Sequence, residues 1–157
     1  MIDDPVDAIM VVMRDAFDST YGEAWTRKQV VAALVSPGTH YTLSGQEEGA
    51  PIVAERTTGF TMSRHAADEE ELLLIAVRPD FRGKGIGMQL LKDFSERSKN
   101  RGTAKIFLEM RAGNPAEDLY REFGFVQVGI RKGYYRGAVG GPLDAITFAL
   151  NVNEIDS

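Results

Sequence analysis

The stretch "LLLIAVRPDFRGKGIGMQLL", residues 72–91, decides the fold. An apolar run of six, residues 72–77, has the length and composition of a central strand buried on both faces. A turn then places three glycines in five positions, 83 to 87. Ile86, Leu90, Leu91 and Phe94 follow at the spacing of one helical face. Glycine costs about 1 kcal/mol against alanine inside a helix, so three of them at a helix start need a reason. The first N–H groups of a helix have no partner within it and carry the positive end of its dipole. A turn stripped of side chains lets an anion reach them, and Arg78, Arg82 and Lys84 add mobile charge around it. On this segment alone, an anion site and a plain turn that packs the helix close to the sheet are equally good readings.

Spacing removes two competing motifs. The P-loop pattern G-x-x-x-x-G-K-[ST] does not occur. The dinucleotide pattern G-x-G-x-x-G starts at Gly83 and Gly85 but meets Met88 where its third glycine belongs. The spacing that remains is Arg82-x-x-Gly85-x-Gly87.

Working outward, "PVDAIMVVMRDAF" carries Ile9, Val12, Met13 and Phe17 near helical spacing, and Thr26 caps a second helix over "RKQVVAALV". "HYTLS" and "GFTMSR" read as short strands, separated by turn chemistry at "GQEEGA" and "RTTG". The helix after the glycine turn ends near "KNRG". "TAKIFLEMR" alternates, with Ile106, Leu108 and Met110 on one face and Phe107, Glu109 and Arg111 on the other. In "NPAEDLYREFGF", Asn114 caps, Pro115 opens the helix, Glu117 completes a capping box and Gly124 stops it. "FVQVGI" and "DAITFAL" are the last strands, joined by "RKGYYRGAVGGPL". The order predicts a mixed α/β (α+β) single domain over 1–157, a central mixed sheet flanked by helices, with the motif-bearing core at about 69–150.

Composition bounds the function. There are 157 residues and no cysteine, so disulfides, thiolate metal sites and a cysteine acyl-enzyme are excluded. The start is acidic, where a secretory signal would be basic, and no apolar run approaches a membrane span. A cytoplasmic protein with no membrane role is expected. The net charge of −5 argues against nucleic acid as partner. The positive excess is local: residues 82–105 hold seven basic and two acidic side chains, which suits a small polyanion. His40 and His65 lack metal spacing, and "DEEE" at 68–71 reads as a solvated turn, so no metal is expected.

The runs "LLLIAVRPDFRGKGIGMQLLKDF", "IFLEMRAGN" and "LYREFGF" resemble the GNAT superfamily of acetyl-coenzyme A-dependent N-acetyltransferases. Within it, "LEMRAGN", "LYREFGFVQVGIRKGYY", "DAITFAL" and "AFDSTYGEAWT" resemble the RimI-type ribosomal-protein alanine N-acetyltransferases, which acetylate the α-amine of a protein N-terminus. The resemblance implies acetyl-coenzyme A as co-substrate. Its pyrophosphate would be held by backbone N–H groups of Arg82, Gly83, Lys84, Gly85, Ile86 and Gly87. Its pantetheine arm would lie along the main chain of Ile75, Ala76 and Val77, with Asn114 nearby. Glu109 matches the general base and Tyr120 the acid that protonates the departing thiolate. Tyr134 and Tyr135 match the tyrosines bordering the acceptor, and Phe17, Tyr21 and Trp25 are expected as the opposite wall. The spacing from Asn114 to Tyr120 is one residue shorter than is usual in the family. The expected acceptor is a protein or peptide N-terminus, a ribosomal protein among the candidates; a small amine is the alternative, and a non-catalytic acyl-coenzyme A-binding module a further one. The expected state is a monomer or weak dimer.

Overall fold

Six strands build one sheet in the computed structural model, which describes residues 3–17, 24–135 and 142–154. In chain order the elements are α1 (Pro5–Ala16), α2 (Arg27–Leu34), β1 (Thr39–Ser44), β2 (Gly59–Ala66), β3 (Glu69–Val77), α3 (Ile86–Asn100), β4 (Lys105–Arg111), α4 (Glu117–Phe123), β5 (Val126–Tyr135) and β6 (Leu143–Asn151). The strand order is β1-β2-β3-β4-β6-β5. The β3–β4 pair is parallel, crossing over through α3, and the other neighbours are antiparallel. This is the mixed α/β architecture expected from the sequence. No helix among the described residues is long and apolar enough to cross a membrane.

Local chemistry sets the helix starts. Asp4 caps α1 through the Val6 N–H, and the Asp7 carboxylate returns the bond to the Asp4 N–H. Thr26 and Gln29 do the same for α2. Gly102, at φ 91°, ends α3 where a helix needs a left-handed residue. The fourth helix departs from expectation. Asn114 Oδ1 accepts from the Ala116 N–H at 2.8 Å and the Asn114 carbonyl accepts from Glu117 N–H at 3.1 Å. These bonds close a tight turn, so α4 begins only at Glu117 and Ala116 is its N-cap residue. The Glu117 carboxylate pairs with Arg121 one turn on instead of closing a capping box.

The core has two parts on opposite faces of the sheet. One packs α1 and α2 (Ile9, Val12, Met13, Val30) on Phe60, Met62, Leu74 and Ala76. The other packs α3 and α4 (Leu91, Phe94, Tyr120) on Leu72, Ile106, Leu108, Met110 and Phe148. A β-bulge connects them. Met62 lies opposite Leu74 and Ser63 opposite Leu72, which leaves Leu73 as an extra residue. Neighbouring positions on β2 face opposite ways, so Leu72 and Leu74 do too, each entering a different core. The expectation that residues 72–77 are buried on both faces is therefore corrected. Leu72, Leu74 and Ala76 are buried, while Leu73, Ile75 and Val77 are only partly covered.

Two further expectations fail. The run "RKGYY" belongs to β5, which continues to Tyr135, and not to a connecting loop. The acidic run at 68–71 is not a solvated turn: Glu69 to Glu71 lie in β3, and Glu70 is fully buried. Its carboxylate accepts from both Nε and an Nη of Arg101 (3.1 and 2.5 Å), from Ser63 (2.5 Å) and from Ser98 (2.7 Å). This pins the end of α3 to β2 and β3. Burial pushes the Glu70 carboxyl up, but the bonds from Arg101, Ser63 and Ser98 outweigh it and hold the group below its ordinary value.

Candidate active site

The parallel register of β3 and β4 runs from Glu69 opposite Lys105 to Leu72 opposite Leu108, and no rung follows. Past that point β3 stays paired to β2, and β4 to β6. The bulge at Leu73 bends β3 at the same place. The two strands part, and the β4-facing backbone edge of Leu73 to Val77 has no strand beside it.

A cleft of about 880 Å³ fills this wedge. Ile75, Ala76 and Val77 form one wall, Arg82, Gly83, Gly85, Ile86 and Gly87 its mouth, and Arg111, Asn114 and Leu119 the other wall. Gly83 and Gly85 sit at φ 77° and 79°, where only glycine is unstrained, and a Cβ at either would meet open space. Gly87 is different: a Cβ there would lie 3.0 Å from Leu119 Cδ2, so it permits close approach of α3 and α4. The first bond back into the helix is Gln89 N–H to Gly85 carbonyl at 3.0 Å. The N–H groups ahead of it point out of the helix start at the cleft mouth.

The cationic side chains near this turn are not the mobile charges expected. Arg78 donates to Asp15 Oδ2 at 2.9 Å and to the carbonyls of Glu55 and Thr57. Arg82 donates from Nε to the Val77 carbonyl (3.1 Å) and from Nη2 to the Ala16 carbonyl (3.2 Å), and its own N–H is used by the Pro79 carbonyl. Both arginines brace the turn against α1 and β3. Lys84 Nζ rests 5.6 Å from the centre of the Phe81 ring, outside the cleft lining.

A second chamber of about 260 Å³ adjoins the first on the side of α1 and α2. It brings together Phe17, Trp25, Glu109, Tyr120 and Tyr135 from five separate segments. Tyr120, Asn114, Ile75 and Phe17 line both chambers. The Tyr120 ring is buried against Phe125 and Phe148, with centroids 5.9 and 6.5 Å away. Tyr134 is not in the chamber lining; half exposed, it packs edge-on to Tyr135 at 5.2 Å. Tyr21 lies outside the described residues.

Glu109 projects from the sheet face opposite Leu108, with its side chain 19% exposed. Both its oxygens accept from Arg131, at 2.8 and 2.5 Å, and Thr147 Oγ1 approaches at 3.5 Å. Beside it, burial pushes the Glu71 carboxyl up; Arg64 opposes that shift and Glu109 adds to it. Reading the residues as a sequence missed Arg131. The signal was the register: Glu109, Thr147 and Gly129 form one row across β4, β6 and β5, and Arg131 lies two residues along on the same face. Gly129 has no side chain to block a diagonal reach.

This geometry, a strand pair forced apart beside a bare helix start, agrees with the similarity found to known proteins. Residues 46–127 match the acetyltransferase (GNAT) domain. The chain belongs to the GNAT acetyltransferase family. The [ribosomal protein bS18]-alanine N-acetyltransferase of Salmonella typhimurium is 38% identical over 100 residues, covering 63% of this chain and 67% of its own length. The enzyme of the same name from Haemophilus influenzae is 37% identical over 91 residues, covering 58% of this chain and 62% of its own. The matched region thus spans about two thirds of these relatives. The crystal structure of the ribosomal-protein-S18-alanine N-acetyltransferase from Escherichia coli superposes with a TM-score of 0.78 at 26% identity, over 97% of this acetyltransferase and 92% of that chain.

Proposed function

We propose that this acetyltransferase transfers the acetyl group of acetyl-coenzyme A to the α-amine of a protein N-terminus, with a ribosomal protein as acceptor. The observation that carries this reading is the junction of the two chambers at Phe17, Ile75, Asn114 and Tyr120. The long cleft has the features an acyl-coenzyme A asks for, and the small one has a carboxylate between aromatic walls. The names of the Salmonella and Haemophilus relatives support the acceptor class.

The residues fit the co-substrate. The N–H groups of Gly83 to Gly87 at the start of α3 suit a pyrophosphate. Arg82 contributes by bracing, since its N–H is already used. The unpaired edge of Ile75 and Ala76 can bond an extended amide chain as an added strand would. When bound, acetyl-coenzyme A supplies an acetyl thioester and a thiol leaving group. The chain's own part is proton handling and orientation. An α-amine, with a pKa near 8, loses its proton far more readily than a lysine amine near 10.4. The Glu109 carboxylate takes that proton, directly or through a water. As the amine nitrogen bonds the acetyl carbon and the C–S bond breaks, the Tyr120 hydroxyl, on the wall shared by both chambers, gives its proton to the departing sulfur, and the second proton shed by the nitrogen restores the phenol. Phe17, Trp25 and Tyr135 hold the first acceptor residues and exclude water.

The test is acetyl transfer to a panel of N-terminal peptides and small amines, read by mass. A peptide beginning with alanine should gain one acetyl group at its α-amine. Modification of free amines with every peptide untouched would refute the acceptor assignment.

A further inference from the structure

The contacts around Glu109 close a ring. Its carboxylate is gripped by both arms of Arg131. The Arg131 guanidinium lies over the Tyr134 ring, 4.0 Å from its centre. Tyr134 meets Tyr135 edge-on at 5.2 Å, and Tyr135 lines the same chamber as Glu109. The path leaves the chamber at the carboxylate on β4 and re-enters it at the aromatic wall on β5. Its central link is a side chain 56% exposed, so burial of Arg131 does not account for the arrangement.

We infer that Arg131 is a positioning residue that sets the Glu109 carboxylate and, through Tyr134, the Tyr135 wall as one unit, so that proton acceptor and acceptor-peptide wall share a fixed spacing. This rests on the proposed role of Glu109. The physical reason is the shape of guanidinium. Its planar fork fixes both the position and the plane of a carboxylate, and its flat face stacks on an aromatic ring at the same time. A lysine ammonium offers one point charge and can do neither as well. A freed glutamate would turn about its last torsion, which is broad. Arg131 touches neither the cleft nor the smaller chamber, so it acts through its neighbours.

The test uses the full chain with Arg131→Ala, Arg131→Lys, Glu109→Gln and the Arg131→Ala, Glu109→Gln double variant. Steady-state acetylation of an alanine-initiated peptide is measured with and without added methylguanidinium, alongside the thermal midpoint. Arg131→Ala should lower kcat/KM for the peptide by about tenfold to a hundredfold, leave the KM for acetyl-coenzyme A unchanged, and recover part of the loss with methylguanidinium. Arg131→Lys should fall between it and the parent. In the Glu109→Gln background, Arg131→Ala should cause no further drop in kcat, because the two act together. A wild-type rate for Arg131→Ala overturns the inference. So does a loss of equal size in both backgrounds with no rescue, which marks a merely structural residue. If Glu109→Gln itself turns over normally, the assignment of Glu109 falls and this inference with it. If Glu109→Gln is slow and Arg131→Ala is not, only the inference falls.

Discussion

Leu72 faces Leu108 across the last shared rung of β3 and β4, and the site opens from that pair. One residue further, the extra Leu73 bends β3 and turns its side chains over to the other core. Every group assigned to the reaction lies beyond this rung or borders the space it creates.

The glycine turn is the first place to test the cleft. Gly85→Glu adds a carboxylate at the helix start and forces a side chain onto φ 79°. The backbone strain is about 1–2 kcal/mol, which a domain of this size tolerates with a lowered melting temperature. Acetyl-coenzyme A binding, followed by calorimetry, should fall below detection while circular dichroism stays native. Retained affinity would reduce this segment to an ordinary turn.

The two residues proposed to handle protons should separate from binding. Glu109→Gln and Tyr120→Phe are near-isosteric and should each lower kcat by about 10²-fold or more, with acetyl-coenzyme A affinity unchanged. Tyr120→Phe keeps the ring contacts to Phe125 and Phe148, so the fold should persist, as circular dichroism will show. A drop in affinity in place of kcat would assign these residues to binding.

Glu70 should matter to stability and not to chemistry, since it lies outside both chambers. Glu70→Gln leaves Arg101 without its carboxylate and should cost about 3 kcal/mol, read by urea unfolding. The pH dependence follows from the lowered Glu70 value. A carboxyl depressed in the folded state stabilises above its unfolded value of 4.5 and loses that contribution as pH falls through the lower, folded value. Acid unfolding should therefore set in below about pH 4.5 for the parent and be flatter there for Glu70→Gln. Equal acid sensitivity in both proteins would show that Glu70 is not the responsible group.

Glu71 carries the opposite sign. Its folded value is raised, so ionisation at neutral pH works against folding. Glu71→Gln should be neutral or stabilising by up to about 1 kcal/mol at pH 7, with no gain at pH 4. Destabilisation at pH 7 would mean that Glu71 has a charge partner worth more than its burial costs.

Much of this arrangement was legible in the residues because its causes are local. The cap at Thr26, the glycine turn at 83–87, the end of α3 near Gly102 and the alternation of β4 depend on neighbours a few positions away. The same holds for the motif order that resembles the GNAT superfamily. What the residues misled on is equally specific. Asn114 has the chemistry of a helix cap, yet it spends its side chain on a turn two residues ahead. Arg78 and Arg82 look like free charges until α1 places Asp15 and the Ala16 carbonyl in their reach.

By itself, then, the sequence determined the elements, their order and the bare helix start after a central strand. Hydrogen bonding and side-chain periodicity act over a few residues, and they leave their mark in composition and spacing. Tertiary structure alone decided that β3 and β4 part after Leu72, that Glu70 is buried under Arg101, and that Arg131 holds Glu109 from 22 residues away. Those relations join segments distant in the chain. They arise from strand register, one bulged residue and the packing of two cores, none of which any single stretch encodes.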